Sequence, residues 1–156
     1  MSEFTHLDGS GAVRMVDVTL KQPTVRRATA EGFVECAPHV VAALRDGAVP
    51  KGDVLALARI AGIAAAKRTP ELLPLAHVIG VHGVTVDVVI EDVGLRITAT
   101  VSTADRTGVE MEALTAVSIA ALNVVDMVKA LDKGTTIREV RLIAKEGGRS
   151  GSWARD

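Results

Sequence analysis

Apolar and polar positions along the chain fall into seven patterned stretches punctuated by Gly, Pro and Asp. Residues 25–36, VRRATAEGFVEC, alternate as a half-buried strand does. PHVVAALRDG (38–47) opens on Pro and closes on Gly, as a short helix should. DVLALARIAGIAAAKR (53–68) reads as an Ala-rich helix, with Asp53 as its N-cap and Pro70 beyond its end. GVTVDVVIE (83–91) and LRITATVST (95–103) are strands joined at a hairpin turn, Asp92 to Gly94. Thr107 and Glu110 form a T-x-x-E capping box that opens a long apolar helix, TGVEMEALTAVSIAALNVVDMVKALDK (107–133). TTIREVRLIAK (135–145) is the last strand.

The order strand, helices, hairpin, helix, strand predicts an α+β fold: a ferredoxin-like βαββαβ sandwich, an antiparallel sheet with helices on one face. Residues 1–22, with glycines at 9 and 11, read as a flexible N-terminal arm; residues 23–146 as one domain; residues 147–156 as a Gly-rich tail. Strands such as Val84-Thr85-Val86-Asp87-Val88 would expose apolar area on the uncovered sheet face, which predicts a homo-oligomer.

Composition narrows the partners. The chain has 156 residues, 48% of them hydrophobic, with a net charge of −1, enough for one real core and no basic footprint for nucleic acid. Only Phe4, Phe33 and Trp153 are aromatic, so base-stacking platforms are missing too. The single Cys36 permits no internal disulfide and fits a reducing compartment. The uncharged run from Ala113 to Val125 is shorter than a bilayer span, and the polar start MSEFTHLDGSG does not read as a signal peptide; a cytoplasmic protein without a membrane partner is expected.

Familiar motifs are missing: no GxxxxGK[ST], GxGxxG, HExxH, GxSxG or cysteine pair occurs. Candidate chemistry lies in charged residues that packing would not choose. Asp126 sits among Val124, Val125, Met127 and Val128, with Lys129 one turn on. A solvated i, i+3 pair contributes only about 0.2–0.5 kcal/mol, but a pair desolvated by apolar neighbours is tuned for acid–base work. Lys51 precedes a helix N-terminus, where the dipole disfavours a cation; an anionic ligand faced by both would explain it, and a solvated loop lysine is the plain alternative. His77, in LLPLAH, is either a boundary residue or a catalyst. Glu110 and Glu112 point to different sides of their helix, with Glu110 as the cap and Glu112 free.

Together KGD (51–53), ARIAGIAAAKRT (58–69), LPLAH (73–77), TGVEMEALTAVSIAAL (107–122), DMVKA (126–130), VRLIAKEGGRSG (140–151) and the N-terminal THLDGSGAVRMVDVT resemble the MoaC family of molybdenum cofactor biosynthesis over nearly the whole chain. The resemblance implies a cyclic pyranopterin monophosphate synthase. Its small-molecule substrate would be 3′,8-cyclo-7,8-dihydro-GTP, supplied by the radical enzyme MoaA and rearranged with release of pyrophosphate. Such steps are proton transfers and attack on phosphorus, so no cofactor and no metal are assigned. By resemblance Asp126 is the catalytic aspartate, with Lys51 and Lys129 as catalytic lysines. Leu75, Ala76, His77, Met111 and Glu112 match substrate-binding segments, and Arg26, Lys67 and Lys145 match basic positions suited to the triphosphate.

Glu112 and Asp126 are 14 residues apart on one helix, about 21 Å. One pocket cannot use both from one chain, so the active site is expected across a dimer interface, in keeping with the hexamers (trimers of dimers) the resemblance implies. The family usually reads PLCHPL where this chain has Pro74-Leu75-Ala76-His77-Val78-Ile79, and an aromatic where it has Val125. The rearrangement needs no thiol, so activity is expected to survive; the alternative is an altered paralogue that binds a nucleotide or pterin without turnover.

Overall fold

Alternation in the first strand is kept along its length. In β1 (Thr24–Glu35) Ala28, Ala30, Gly32 and Val34 are buried while their neighbours are not. A computed structural model describes residues 5–156; residues 1–4 of the arm, including Phe4, lie outside the described residues. After β1 come α1 (Pro38–Arg45), α2 (Val54–Ala66), α3 (Thr69–Leu72), β2 (Gly83–Glu91), β3 (Gly94–Asp105), α4 (Glu110–Val128), β4 (Thr136–Glu146) and β5 (Trp153–Ala154). The sheet is antiparallel throughout, in the order β2-β3-β1-β4-β5. The helices lie on one side, and the first four strands have the ferredoxin-like arrangement.

The core forms where the inward positions of β1 and β3 meet α4. Leu95, Ile97, Ala99 and Val101 of β3 are fully buried, as are Ala113, Ala116, Val117, Ala120, Ala121, Val124 and Val128 of α4. α4 is apolar and long enough to resemble a membrane span, but these buried residues make it the core helix of the sandwich. It packs closely on α2: a Cβ on Gly62 would stand 3.0 Å from the Ala116 carbonyl oxygen and 3.3 Å from the Ala120 methyl. Asp53 caps α2 as its sequence predicts, accepting the Ala56 N–H at 3.0 Å.

Three expectations need correction. Val109, not Thr107, is the N-cap of α4, and no side chain caps it. The Glu110 carboxylate folds back over Gly108 and pairs with Lys145 at 3.6 Å, so the capping box does not form. The hairpin loop is Asp92-Val93 alone, because Gly94 already pairs with Glu91. The uncovered sheet face is also not apolar as expected. Val84, Val86 and Val88 turn toward the helices, leaving Thr85, Asp87 and one exposed valine, Val89, outward; the rest of the face carries Thr29 bonded to Thr100 at 2.9 Å and Glu31 bridged to Arg141 at 2.7 Å. Period-two alternation put the valines on the core side. β5 was not predicted: two residues of the Gly-rich tail pair with Ala144 and Lys145, and Arg155 donates to the Leu142 carbonyl at 2.8 Å.

Cys36 is buried, and burial pushes its thiol up to about 11. It should therefore resist thiol reagents at pH 8 in the folded protein and react once the protein is unfolded, a contrast that a timed labelling assay reads directly.

Candidate active site

Two groups of candidate residues form at opposite ends of α4. At its C-terminal end Asp126 accepts from Lys51 Nζ at 2.9 Å and from Lys129 Nζ at 2.5 Å. Lys129 comes from the next turn of the same helix; Lys51 arrives from the loop before α2, because α2 runs antiparallel to α4. The two lysine hydrogen bonds hold the Asp126 carboxyl down at about 2, Lys129 contributing more. The expected desolvation is absent within one protomer: all three side chains are about half exposed. Helical phase explains this, since Val124, Met127 and Val128 face the core while Asp126 and Lys129 face away. A cavity of about 560 Å³ lies beside Lys51, lined by Arg45, Gly52, Asp53, Leu55 and Ile90 among others.

At the N-terminal end, Leu75, Ala76, His77, Met111 and Glu112 line one cavity of about 380 Å³, joined by Glu110 and Leu142. All five residues matched to substrate-binding segments thus converge, although 33 residues of chain lie between His77 and Met111. An apolar groove of about 540 Å³ shares Leu75, Ala76 and Met111 and adds Val13, Leu73 and Pro74. His77 Nε2 lies 2.6 Å from the Val16 carbonyl oxygen of the arm. A carbonyl only accepts, so Nε2 carries a proton.

Glu112 is buried, only 3% exposed, and has no salt-bridge partner among the described residues. Burial raises its pKa, the nearby Glu110 adds to the rise, and His77 opposes it. A folded-state pKa above the unfolded value means the native state holds the proton more tightly, so stability falls as pH rises past the ordinary Glu range. Glu112→Gln should therefore unfold at a higher temperature than the parent at pH 8, with the gap closing toward pH 4; thermal scans at both pH values test this.

The basic residues divide. Lys145 pairs with Glu110 at the cavity wall and donates to the Ser150 hydroxyl. Arg26 donates to the Asp105 and Arg106 carbonyls, both at 3.2 Å, one residue before the cavity-lining Thr107. Lys67 is the exposed C-cap residue of α2 and does not line the cavity. Sequence reasoning missed Asp105, Arg106 and His82, which tie loops together around this cavity and belong to no local pattern.

The MoaC family model matches residues 15–148, which hold every residue of both groups. The chain belongs to the MoaC family. Among curated MoaC relatives, the cyclic pyranopterin monophosphate synthase of Streptomyces coelicolor is 62% identical, the match covering 97% of this chain and 89% of that protein. The protein of the same name from Thermomicrobium roseum is 55% identical over 100% of this chain and 95% of its own length. Mycobacterium tuberculosis cyclic pyranopterin monophosphate synthase 2 is 53% identical over 98% of this chain and 92% of its own.

Proposed function

We propose that the protein is a cyclic pyranopterin monophosphate synthase, a lyase of molybdenum cofactor biosynthesis that converts 3′,8-cyclo-7,8-dihydro-GTP from the radical enzyme MoaA and releases pyrophosphate. The observation that carries this reading is the single carboxylate, Asp126, gripped by two ammonium groups, in a chain 62% identical to a protein of that name. An ionised Asp126 keeps Lys51 and Lys129 positioned as proton donors. Either can protonate a ring nitrogen as the cyclised nucleotide opens, and their charge favours the departing pyrophosphate. The cavity at the other end suits the heterocycle: His77 and Glu112 offer polar contacts between Leu75, Ala76 and Met111. Arg26 and Lys145 at its edge, with Lys67, are assigned to the triphosphate.

Residues 23–146 form the catalytic domain in this reading, and the arm and tail frame its cavity. The two residue groups lie about 21 Å apart along one helix, too far for one substrate to bridge within a chain. In this reading a second copy brings Glu112 of one protomer to Asp126 of another, giving a dimeric active site within a cytoplasmic hexamer, a trimer of dimers. Half-exposure of the lysine cluster fits a surface completed by a neighbour. Mixing Glu112→Ala and Asp126→Asn proteins, each inactive alone, should restore about a quarter of wild-type activity, since random pairing leaves one site in four intact; no recovery would place the whole site in one chain.

Turnover is the direct test. Purified protein given enzymatically prepared 3′,8-cyclo-7,8-dihydro-GTP should form cyclic pyranopterin monophosphate and pyrophosphate. Tight binding without product would overturn the synthase reading and leave a ligand-binding relative, with Ala76 as the first suspect.

A further inference from the structure

The loop 73–82, which brings Leu75, Ala76 and His77 to the cavity, packs Ile79 and Val81 against the core, and a rim at the end of β3 holds its backbone. Gly80 is gripped on both sides: its N–H donates to Asp105 Oδ2 at 2.9 Å, and its carbonyl accepts from the Thr103 hydroxyl. Two residues later the His82 N–H donates to the Ser102 carbonyl at 2.9 Å, while His82 Nδ1 accepts from the Ala104 N–H at 3.3 Å. Asp105 Oδ1 meanwhile accepts the N–H of Arg106 at 2.7 Å. One carboxylate thus takes two backbone donors from different segments, and these bonds hold its carboxyl below the usual range, Gly80 contributing most.

The same dipeptide reaches the other walls. Arg26 is fixed by the Asp105 and Arg106 carbonyls, and Arg106 Nε donates to the Lys21 carbonyl of the arm at 2.9 Å. Through Val16 that arm is also the partner of His77. Asp105 itself does not line the cavity. We propose that Asp105 is a positioning residue: its carboxylate stitches the loop carrying His77 to the end of β3 and so sets where His77 stands for the substrate.

A carboxylate that merely closed the end of a strand would affect unfolding and nothing else. Asp105→Asn keeps the size of the side chain but turns an amide N–H toward one of its two donors. Gly80 and His82 amide exchange should speed up about tenfold, and KM for the cyclised nucleotide should rise about tenfold with kcat within about twofold of the parent. Asp105→Glu, which keeps the charge, should recover part of both. Arg106→Ala should loosen the arm and leave Gly80 exchange unchanged. Arg138→Ala, which breaks an exposed pair with Glu35 elsewhere, is the control for lost stability alone.

Unchanged Gly80 exchange overturns the proposal, and so does faster exchange with unchanged KM. The KM arm rests on the synthase reading. Should the parent protein prove inactive, that reading falls by itself, and nitrogen-15 shifts of the His77 ring replace KM: shifts altered by Asp105→Asn uphold the positioning role, and unaltered shifts overturn it.

Discussion

Asp126→Asn should lower kcat by about 10²- to 10⁴-fold. The substitution keeps shape and removes the charge that holds two ammonium groups at 2.9 and 2.5 Å. Lys51 and Lys129 then repel one another without a common partner, and neither is aimed. Lys51→Ala should be about as damaging, and the double variant little worse than either single one, because groups that act as a unit are not additive. Nucleotide affinity, carried by the cavity at the far end of α4, should hold in all three. Steady-state kinetics beside calorimetric binding decides this: a variant that keeps near-parental kcat removes Asp126 from the chemistry.

The pH behaviour follows from the same pair of bonds. With its carboxyl held at about 2, Asp126 is ionised in the folded protein at every ordinary assay pH. The sign is that of a depressed acid: the ion pairs favour the fold above the unfolded carboxylate value and stop doing so as pH falls through about 2. An acidic limb in the rate profile near neutrality must then come from another group, and it should persist in an Asp126→Glu protein.

Gly94→Ala should have the largest effect on stability. A Cβ there would lie 2.0 Å from the Val34 carbonyl oxygen and 3.0 Å from the Phe33 ring. The first is a backbone atom of the adjoining strand, so no rotamer relieves the overlap. β1 and β3 must separate where Glu35 pairs with Gly94, above fully buried Val34 and Leu95. Overpacking of this kind costs about 3 kcal/mol, or roughly 6–12 °C in Tm for a chain of this size. Gly52→Ala is the comparison: nothing stands within 4 Å of its added methyl, and only its φ of +105° resists the change. Equal Tm values for the two would show that β1 and β3 yield locally.

How much of this was legible in the sequence depends on the range of the forces involved. β1, the β2–β3 hairpin and α2 with its Asp53 cap are set by alternation, punctuation and one side chain three residues from its target, and each formed where its pattern lay. The capping box failed because Lys145, 35 residues away, competes for Glu110. β5 lacked the length to give a pattern at all; its two residues are strand only because the edge of β4 offers partners. Within the candidate site, i, i+3 spacing already paired Asp126 with Lys129, while the arrival of Lys51 required the antiparallel α2–α4 packing. Asp126 escapes desolvation within one protomer for a different reason. Neighbours in sequence on a helix point in different directions, and the apolar residues around Asp126 were spending themselves on the core.

The close seating of α2 on α4 makes the latter a ruler as well as a core element. With the Ala116 carbonyl and Ala120 methyl against Gly62, neither helix has room to slide along the other. Deleting one residue between Glu112 and Asp126 would shorten their separation by about 1.5 Å and swing one end through roughly 100° against the other. The residue count of this helix is therefore fixed, and a single-residue deletion there would disable both ends together although every residue named at either end is still in the chain.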